Sequence, residues 1–250
     1  MAKNDRTVKS DATLFAIIEE LVNLGSGGAT EIANELNISK STVHRHLKTL
    51  ETYGYAVNRD GKYELSVDWF HWGIQVRSNQ ALYKAAKQEL TNLAEETGLT
   101  VWCGVERDGR ILYIAGKAKD PVLDLDTVVG FWNNLHTTAC GKAILAHLPE
   151  ARIKEIFDNR IFSNETTYNN VDEKDLRYEL ELIRMRGYST NIGEDITGIY
   201  GVGAPIIIDN RVVGGISIGD SMEGIQEYDI KNYSEQIKRA ASRIEEIMAK

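Results

Sequence analysis

Apolar positions at the start of the chain recur every three or four residues, then briefly every two. Leu14, Ile17, Ile18, Leu21 and Val22 form one stripe, which predicts a helix that Ser10 or Asp11 can cap. The run from Gly25 to Gly28 ends it in a turn, since GSGG resists helix continuation. Ile32, Ala33 and Leu36 mark a short second helix, with Thr30 as its cap and Glu31 in its first turn. Asn37 and Ile38 make a tight corner. Ser39 then caps a third helix to about Tyr53, in which Val43, Leu47 and Leu50 face inward. After Gly54 the period falls to two: Tyr55–Val57 and Lys62–Leu65 flank Arg59-Asp60-Gly61, a hairpin signal. Helix, helix, corner, helix and hairpin is the order of a winged helix-turn-helix.

A more apolar helix follows, carrying Val67, Trp69, Phe70, Trp72 and Ile74; it reads as a link between domains or a dimer contact. From about Ala81 a longer helix runs to Gly98, with Leu82, Ala86, Leu90 and Leu93 on one face. Strands are expected at Thr100–Val105, Arg110–Ala115 and Leu123–Val129, then helices from Thr138 or Ala139 to Leu148 and over Glu150–Phe157. Asp172 caps a further helix that ends at Arg186-Gly187. Strands Gly201–Ile208 and Val212–Ile218 close the sheet, and a charged amphipathic helix begins near Tyr228. Hairpin-linked strands argue for a mostly antiparallel α+β sheet.

Composition narrows the class. Of 250 residues, 42% are hydrophobic and 26% charged, which suits a globular chain with a core and not a disordered one. No apolar run approaches the ~18 residues of a membrane span, and nothing in MAKNDRTVKSDATLF marks export. Two cysteines, Cys103 and Cys140, give no disulfide framework, so a reducing cytoplasm is the expected compartment and no membrane partner is expected. The net charge of −8 does not exclude nucleic acid. Asn37–Leu50 carries Lys40, Arg45 and Lys48 with no acid, and phosphates feel charges within a Debye length of ~8–10 Å.

On the third helix, Ser39, Lys40, Ser41 and Thr42 bring backbone N–H groups to a phosphate. His44, Arg45, His46 and Lys48 follow, and a guanidinium such as that of Arg45 can bridge two guanine acceptors. Arg59 and Lys62 flank the hairpin turn, where backbone or minor groove lies in reach. A merely solvated charged face is the competing reading of the same residues.

The stretch HTTACGKA invites comparison with a phosphate loop. It fails because His136 stands where that loop needs its first glycine, and Ala143 replaces the magnesium-binding hydroxyl. His136 and Cys140 are four apart, but no second pair with ligand spacing follows, so no metal or other cofactor is expected. Cys140 acts as a nucleophile only if His136 or His147 serves as its base; a buried thiol is the commoner case. Glycines 193, 198, 201, 203, 214, 215 and 219 crowd the closing strands, for turns and bulges or for close approach to a ligand. Trp102, Trp132 and Tyr200 fit either a cavity wall or ordinary core.

The segment TEIANELNISKSTVHRHLKTLETYGYAV resembles the helix-turn-helix and wing of the IclR-type (isocitrate-lyase-regulator) transcription factors. Four later stretches follow in that family's order: LTNLAEETGLTVWCGVERDG, LHTTACGKAILAHLP, IRMRGYSTNIGEDITGIYGVGAP and VVGGISIGDS. The resemblance spans roughly residues 10–225. It implies a homodimer or homotetramer on double-stranded DNA, with a GAF-like domain that binds a small organic effector. Carried over residue by residue, the effector site falls on Leu135, Thr138, Ala139, Asn191, Glu194, Gly201 and Ser217. The chain departs from the pattern at Cys140, where serine is common, at Gly201, where some members have cysteine, and at Gly219, where a second serine can sit.

The expected fold is α+β: a winged helix-turn-helix over residues 10–76, joined by a helix to a GAF-like antiparallel-sheet effector domain over residues 80–250. The expected function is DNA-binding transcription regulation, modulated by a small organic effector of the short or aromatic carboxylate class. A thiol enzyme using Cys140 in the C-terminal cavity is the alternative from another class. A purely architectural DNA-binding protein is a third reading, which the large glycine-rich second half argues against.

Overall fold

The computed structural model describes residues 7–118, 129–158, 172–221 and 229–250. The chain forms two compact units, Met1–Val76 and Arg77–Lys250.

The first unit holds α1 (Lys9–Leu24), β1 (Gly27–Gly28), α2 (Ala29–Glu35), α3 (Lys40–Thr52), β2 (Ala56–Arg59) and β3 (Lys62–Leu65). Its core uses most of the predicted apolar positions, Ile17, Leu21, Ile32, Val43, Leu47 and Leu50, closed by Ala56 and Tyr63, while Val22 of the predicted stripe is exposed. Asn37 takes the left-handed conformation (φ 51°) that turns α2 toward α3, as a short polar side chain can. Asp60 and Gly61 are both at positive φ, the requirement of a tight primed hairpin turn. Three local expectations differ. Gly27 and Gly28 do more than turn the chain, because they pair with Tyr63 and Lys62 as a third strand. Helix α1 starts at Lys9, with Val8 before it and no side-chain cap, so Ser10 and Asp11 lie inside its first turn. At α2 the position before the helix is Gly28, whose N–H donates to the Glu31 carboxylate at 3.3 Å, and Thr30 lies within the helix. Helix α4 (Asp68–Asn79) follows the wing. Its Trp69 and Trp72 close an aromatic group on Tyr55, with ring centroids 4.7–5.6 Å apart.

The second unit is one six-stranded antiparallel sheet with helices on both faces, the arrangement expected when each strand alternates between two buried sides. In spatial order its strands are β6 (Trp132–Asn134), β5 (Arg110–Lys117), β4 (Thr100–Arg107), β9 (Arg211–Ser221), β8 (Ile199–Ile208) and β7 (Ser189–Ile192). Helices α5 (Ala81–Thr97) and α9 (Ile230–Met248) cover one face through Leu90, Leu93, Ile237 and Ile244, against Val202, Ala204, Ile216 and Ile218. On the other face lie α6 (Ala139–Leu145), α7 (Glu150–Asp158) and α8 (Glu173–Arg186). Asp172 caps α8 as expected, accepting from Lys174 N at 2.8 Å. Strands β6 and β7 were not expected, and the strand proposed over Leu123–Val129 lies, up to residue 128, outside the described residues. The closing helix begins at Ile230, while Tyr228 is likewise not described.

Two glycines explain how α6 lies so close to the sheet. A Cβ on Gly203 would sit 2.5 Å from the Ala139 carbonyl oxygen, and one on Gly215 would meet the Cys140 sulfur at 3.0 Å. Part of the glycine crowding is therefore a seat for this helix.

Candidate functional site

Helix α3 presents two distinct sides. Val43, Leu47 and Leu50 are buried, while Lys40, Ser41, His44, Arg45 and Lys48 are exposed and Thr42 and His46 half-buried. Ser41, His44, Arg45 and Lys48 follow the i, i+3, i+4, i+7 spacing of one helix face. The Ser39 hydroxyl caps the helix by accepting from Thr42 N at 3.2 Å and also meets the hydroxyls of Ser41 and Thr42. Two of the cations already have partners. Lys48 pairs with Glu51 at 3.0 Å, and Arg59 with Glu64 at 3.5 Å. In the wing, Arg59 and Lys62 are direct cross-strand partners at the turn. Like charges that close are tolerated only in water or beside an anion.

The second unit contains a cavity of about 70 Å³, where the start of α6 meets the sheet. Its floor is built from cross-strand rows. Asn191, Gly201 and Gly219 form one row, and Ser217 and Trp102 pair in the next. Gly201 and Gly219 carry no side chain, so that part of the floor stays open. Thr138 and Ala139 bound the cavity from α6. Tyr113, Asn133 and the loop residues Asp195 and Ile196 complete its rim. Of the residues nominated from sequence, the structure brings Thr138, Ala139, Asn191, Gly201 and Ser217 together here.

Two nominated residues do not line it. Leu135 is buried in the core beneath α6 and α8. Glu194 turns its carboxylate to Lys142, whose Nζ lies 2.6 Å from it and 2.7 Å from Glu179 of α8. The lysine side chain is 1% exposed, so its charge must be neutralised in place. Burial pushes the Glu194 carboxyl up, and Lys142 opposes that shift. Glu194 thus fixes the loop on which Asp195 and Ile196 reach the cavity. Sequence reasoning named Glu194 but passed over Asp195, the next residue. It also left Tyr113 and Asn133 unnamed. Trp102 and Tyr200, left open between core and wall, do line the cavity, whereas Trp132 does not.

Hydrogen bonding sets the character of the rim. Thr138 Oγ1 accepts from Gly141 N at 3.0 Å and so caps α6. Asp195 accepts from Thr137 at 3.3 Å and Asn133 at 3.5 Å. Asn191 Oδ1 accepts from Glu194 N at 2.8 Å, which leaves its amide N–H groups available. Burial raises the Tyr113 hydroxyl well above its ordinary value, so it stays a proton donor. The thiols are equally protonated: burial pushes Cys103 up to about 12 and Cys140 well above its ordinary value. A thiolate is the nucleophilic form, so this environment works against the Cys140 enzyme reading.

Residues 74–246 match the family described as bacterial transcriptional regulator IclR C-terminal, and residues 13–60 match the IclR helix-turn-helix domain. This chain belongs to the IclR family of transcription regulators. Across 250 aligned residues it is 28% identical to the HTH-type transcriptional regulator KdgR of Dickeya chrysanthemi, covering 98% of this chain and 82% of that protein. A probable HTH-type transcriptional regulator, ArcR of Halobacterium salinarum, is 32% identical over 70% of this chain and 68% of its own length. Among solved structures, Thermotoga maritima IclR superposes with a TM-score of 0.75 at 28% identity, over 97% of this chain and 99% of that one. An IclR homolog from Microbacterium hydrocarbonoxydans, complexed with 4-hydroxybenzoate, shares the fold with a TM-score of 0.74 at 19% identity, over 94% and 99% of the two chains. These relatives are regulators and not enzymes, and the thiol-enzyme alternative is not retained. Among the described residues no helix is long and apolar enough to cross a membrane.

Proposed function

We propose that this IclR-family regulator binds a palindromic operator as a dimer or dimer of dimers in the cytoplasm, with affinity set by a small organic molecule held in the α6–sheet cavity. The observation that carries this reading is the pairing of an exposed basic helix in one unit with a glycine-floored cavity, bearing hydroxyl and amide groups, in the other. On the DNA side, the α3 N-terminus with Ser39, Ser41 and Thr42 meets a phosphate. Arg45 and its neighbours His44 and His46 face base edges; Lys40, Lys48, Arg59 and Lys62 face backbone. On the effector side, Thr138, Ala139, Asn191, Gly201 and Ser217 contact the ligand, with Tyr113, Asn133 and Asp195 added from the geometry. Leu135 and Glu194 act from behind, through α6 and through Lys142. The bound ligand of the Microbacterium homolog supports a small organic molecule as the effector class.

The mechanism is linkage. A ligand that favours one conformation of the sensor shifts the population of DNA-binding arrangements, with a coupling of order 1–3 kcal/mol. The test pairs a thermal-shift screen with operator titration. A true effector at a hundred times its dissociation constant raises stability by ~2.7 kcal/mol and changes operator affinity. A ligand that stabilises the chain without moving operator affinity would refute the coupling.

A further inference from the structure

The segment from Gly193 to Gly198 joins β7 to β8 and forms one side of the cavity through Asp195 and Ile196. Both of its end glycines hold positive φ, 71° and 84°, the left-handed region that glycine enters without steric penalty. A Cβ on Gly198 would meet nothing within 4 Å, so that glycine is required by its backbone angle and not by packing. Between the two glycines a tether leads away from the cavity, where Glu194 meets Lys142 Nζ at 2.6 Å. The lysine itself is immobile. Every residue of α6 is buried, and the same ammonium holds Glu179 at 2.7 Å. Glu179 belongs to α8, which Leu176, Leu180 and Ile183 anchor in the core.

The charges decide what such a tether can do. With one carboxylate partner, a buried ammonium would lock the loop, because lifting that carboxylate strands an uncompensated charge. Lys142 has two partners. When Glu194 swings out, Glu179 keeps the ammonium paired and the departing carboxylate regains its hydration. The opposite move, Glu179 leaving first, would displace a whole helix. The acid that releases is therefore the one on the loop.

We propose that Gly193–Gly198 is a lid on the cavity, pivoting on its two glycines and latched by Glu194 to Lys142, with Glu179 as the standby partner that lets the latch release. What the lid admits rests on the effector-cavity reading above; its motion does not. Glu179 is not among the described residues that line the cavity, so it is a positioning residue that acts through Lys142.

The test is residue-resolved amide hydrogen exchange on the full chain, with no ligand present. Glu194→Gln removes the latch and should speed exchange across residues 192–199 at least about tenfold, while α6 and α8 stay protected. Glu179→Gln removes the standby partner, so opening now strands the lysine, and exchange over the same residues should slow at least about tenfold. A cluster that only braces the fold loosens on either loss, so opposite signs are the signature of the latch. Exchange that rises in Glu179→Gln, or that is the same in all three proteins, overturns the proposal. If a variant loses the protection of α6 and α8, the wild type decides alone. The Ile192 N–H donates to Glu194 Oε1 at 3.1 Å and is freed when the lid lifts. It should exchange at least about tenfold faster than the Val202 N–H inside β8, and equal rates overturn the lid. Because these readings use no ligand, their failure is distinct from failure of the effector reading, which the thermal-shift screen decides.

Discussion

At the scale of single residues, Arg45 and Ser217 carry the sharpest expectations, and the structure leaves one open and tightens the other. Arg45 is exposed on the face of α3 opposite Val43, Leu47 and Leu50. Arg45→Ala should cost ~1–3 kcal/mol of specific operator binding and relax preference at one position per half-site. Gel-shift titration on operator variants measures this, and uniform weakening on every sequence would reassign the residue to phosphate contact. Ser217 is buried, lines the cavity and lies near the Cys140 thiol. A thiol is a weak partner, so the hydroxyl can donate to a ligand. Ser217→Ala should therefore weaken effector binding roughly two- to tenfold, the loss of one neutral hydrogen bond of ~0.5–1.5 kcal/mol. An unchanged calorimetric dissociation constant would place Ser217 outside the ligand shell. The resemblance nominated Ser217, and strand alternation agrees, since Ile216 and Ile218 pack with α5 and α9. Asp195 was not. Nothing local distinguishes it from Glu194, and only the position of Lys142 decides which of the two acids turns inward.

At the scale of elements, what was readable depended on where each apolar face points. Helices α3 and α8 announced themselves because a cap precedes an apolar stripe. Strand β7 reversed the usual signal: Ser189 and Asn191 are buried while Ile192 is exposed. Its inner side faces the α6 backbone, to which Ser189 donates, and the cavity that Asn191 lines, so alternation read as hydrophobic-in fails there. Strand β6 has three residues, too few for any periodicity. The Lys142–Glu179–Glu194 group ties α6, α8 and the β7–β8 loop together. Removing the lysine leaves two facing carboxylates, and the loss of one partner from a buried ion group costs ~3–5 kcal/mol. Both acids keep some solvent contact, so Lys142→Met should fall near the lower end, read as a drop in the urea midpoint of the full chain. Adding Glu179→Gln and Glu194→Gln should recover most of it. If the triple variant is no more stable than Lys142→Met, the defect lies in the fit of α6 and not in charge. On α3, Lys40→Ala should lower the salt slope of DNA binding by about one unit. Lys48 must first leave Glu51, so Lys48→Ala should change the slope less, and equal changes would mean that the Glu51 pair does not persist on DNA.

At the scale of the molecule, the order of elements was legible because each half is organised by its own short-range period. The assembly we propose would fall to residues that find no core within their own unit. The linking helix reads from sequence as a link between domains or a dimer contact, and two of its aromatics, Trp69 and Trp72, are spent on Tyr55, where Trp69 Nε1 donates to the Tyr55 carbonyl at 2.9 Å. Val67, Phe70 and Val76 are left at 85%, 74% and 61% exposure. Single exposed apolar side chains are ordinary, but three within ten residues of a linking helix make a surface that water disfavours. A second copy of the chain is the partner we propose for them, because one recognition helix reads too few base pairs to find an operator in a genome and a two-fold dimer presents two. Sedimentation at micromolar concentration should accordingly give at least a dimer. Phe70→Asp should shift it toward monomer by burying a charge in that contact, and should weaken operator binding because the two half-sites are then engaged independently. A wild-type monomer, with and without DNA, would overturn the dimer itself. A Phe70→Asp protein that remains dimeric would move the contact off α4 to another surface of the chain.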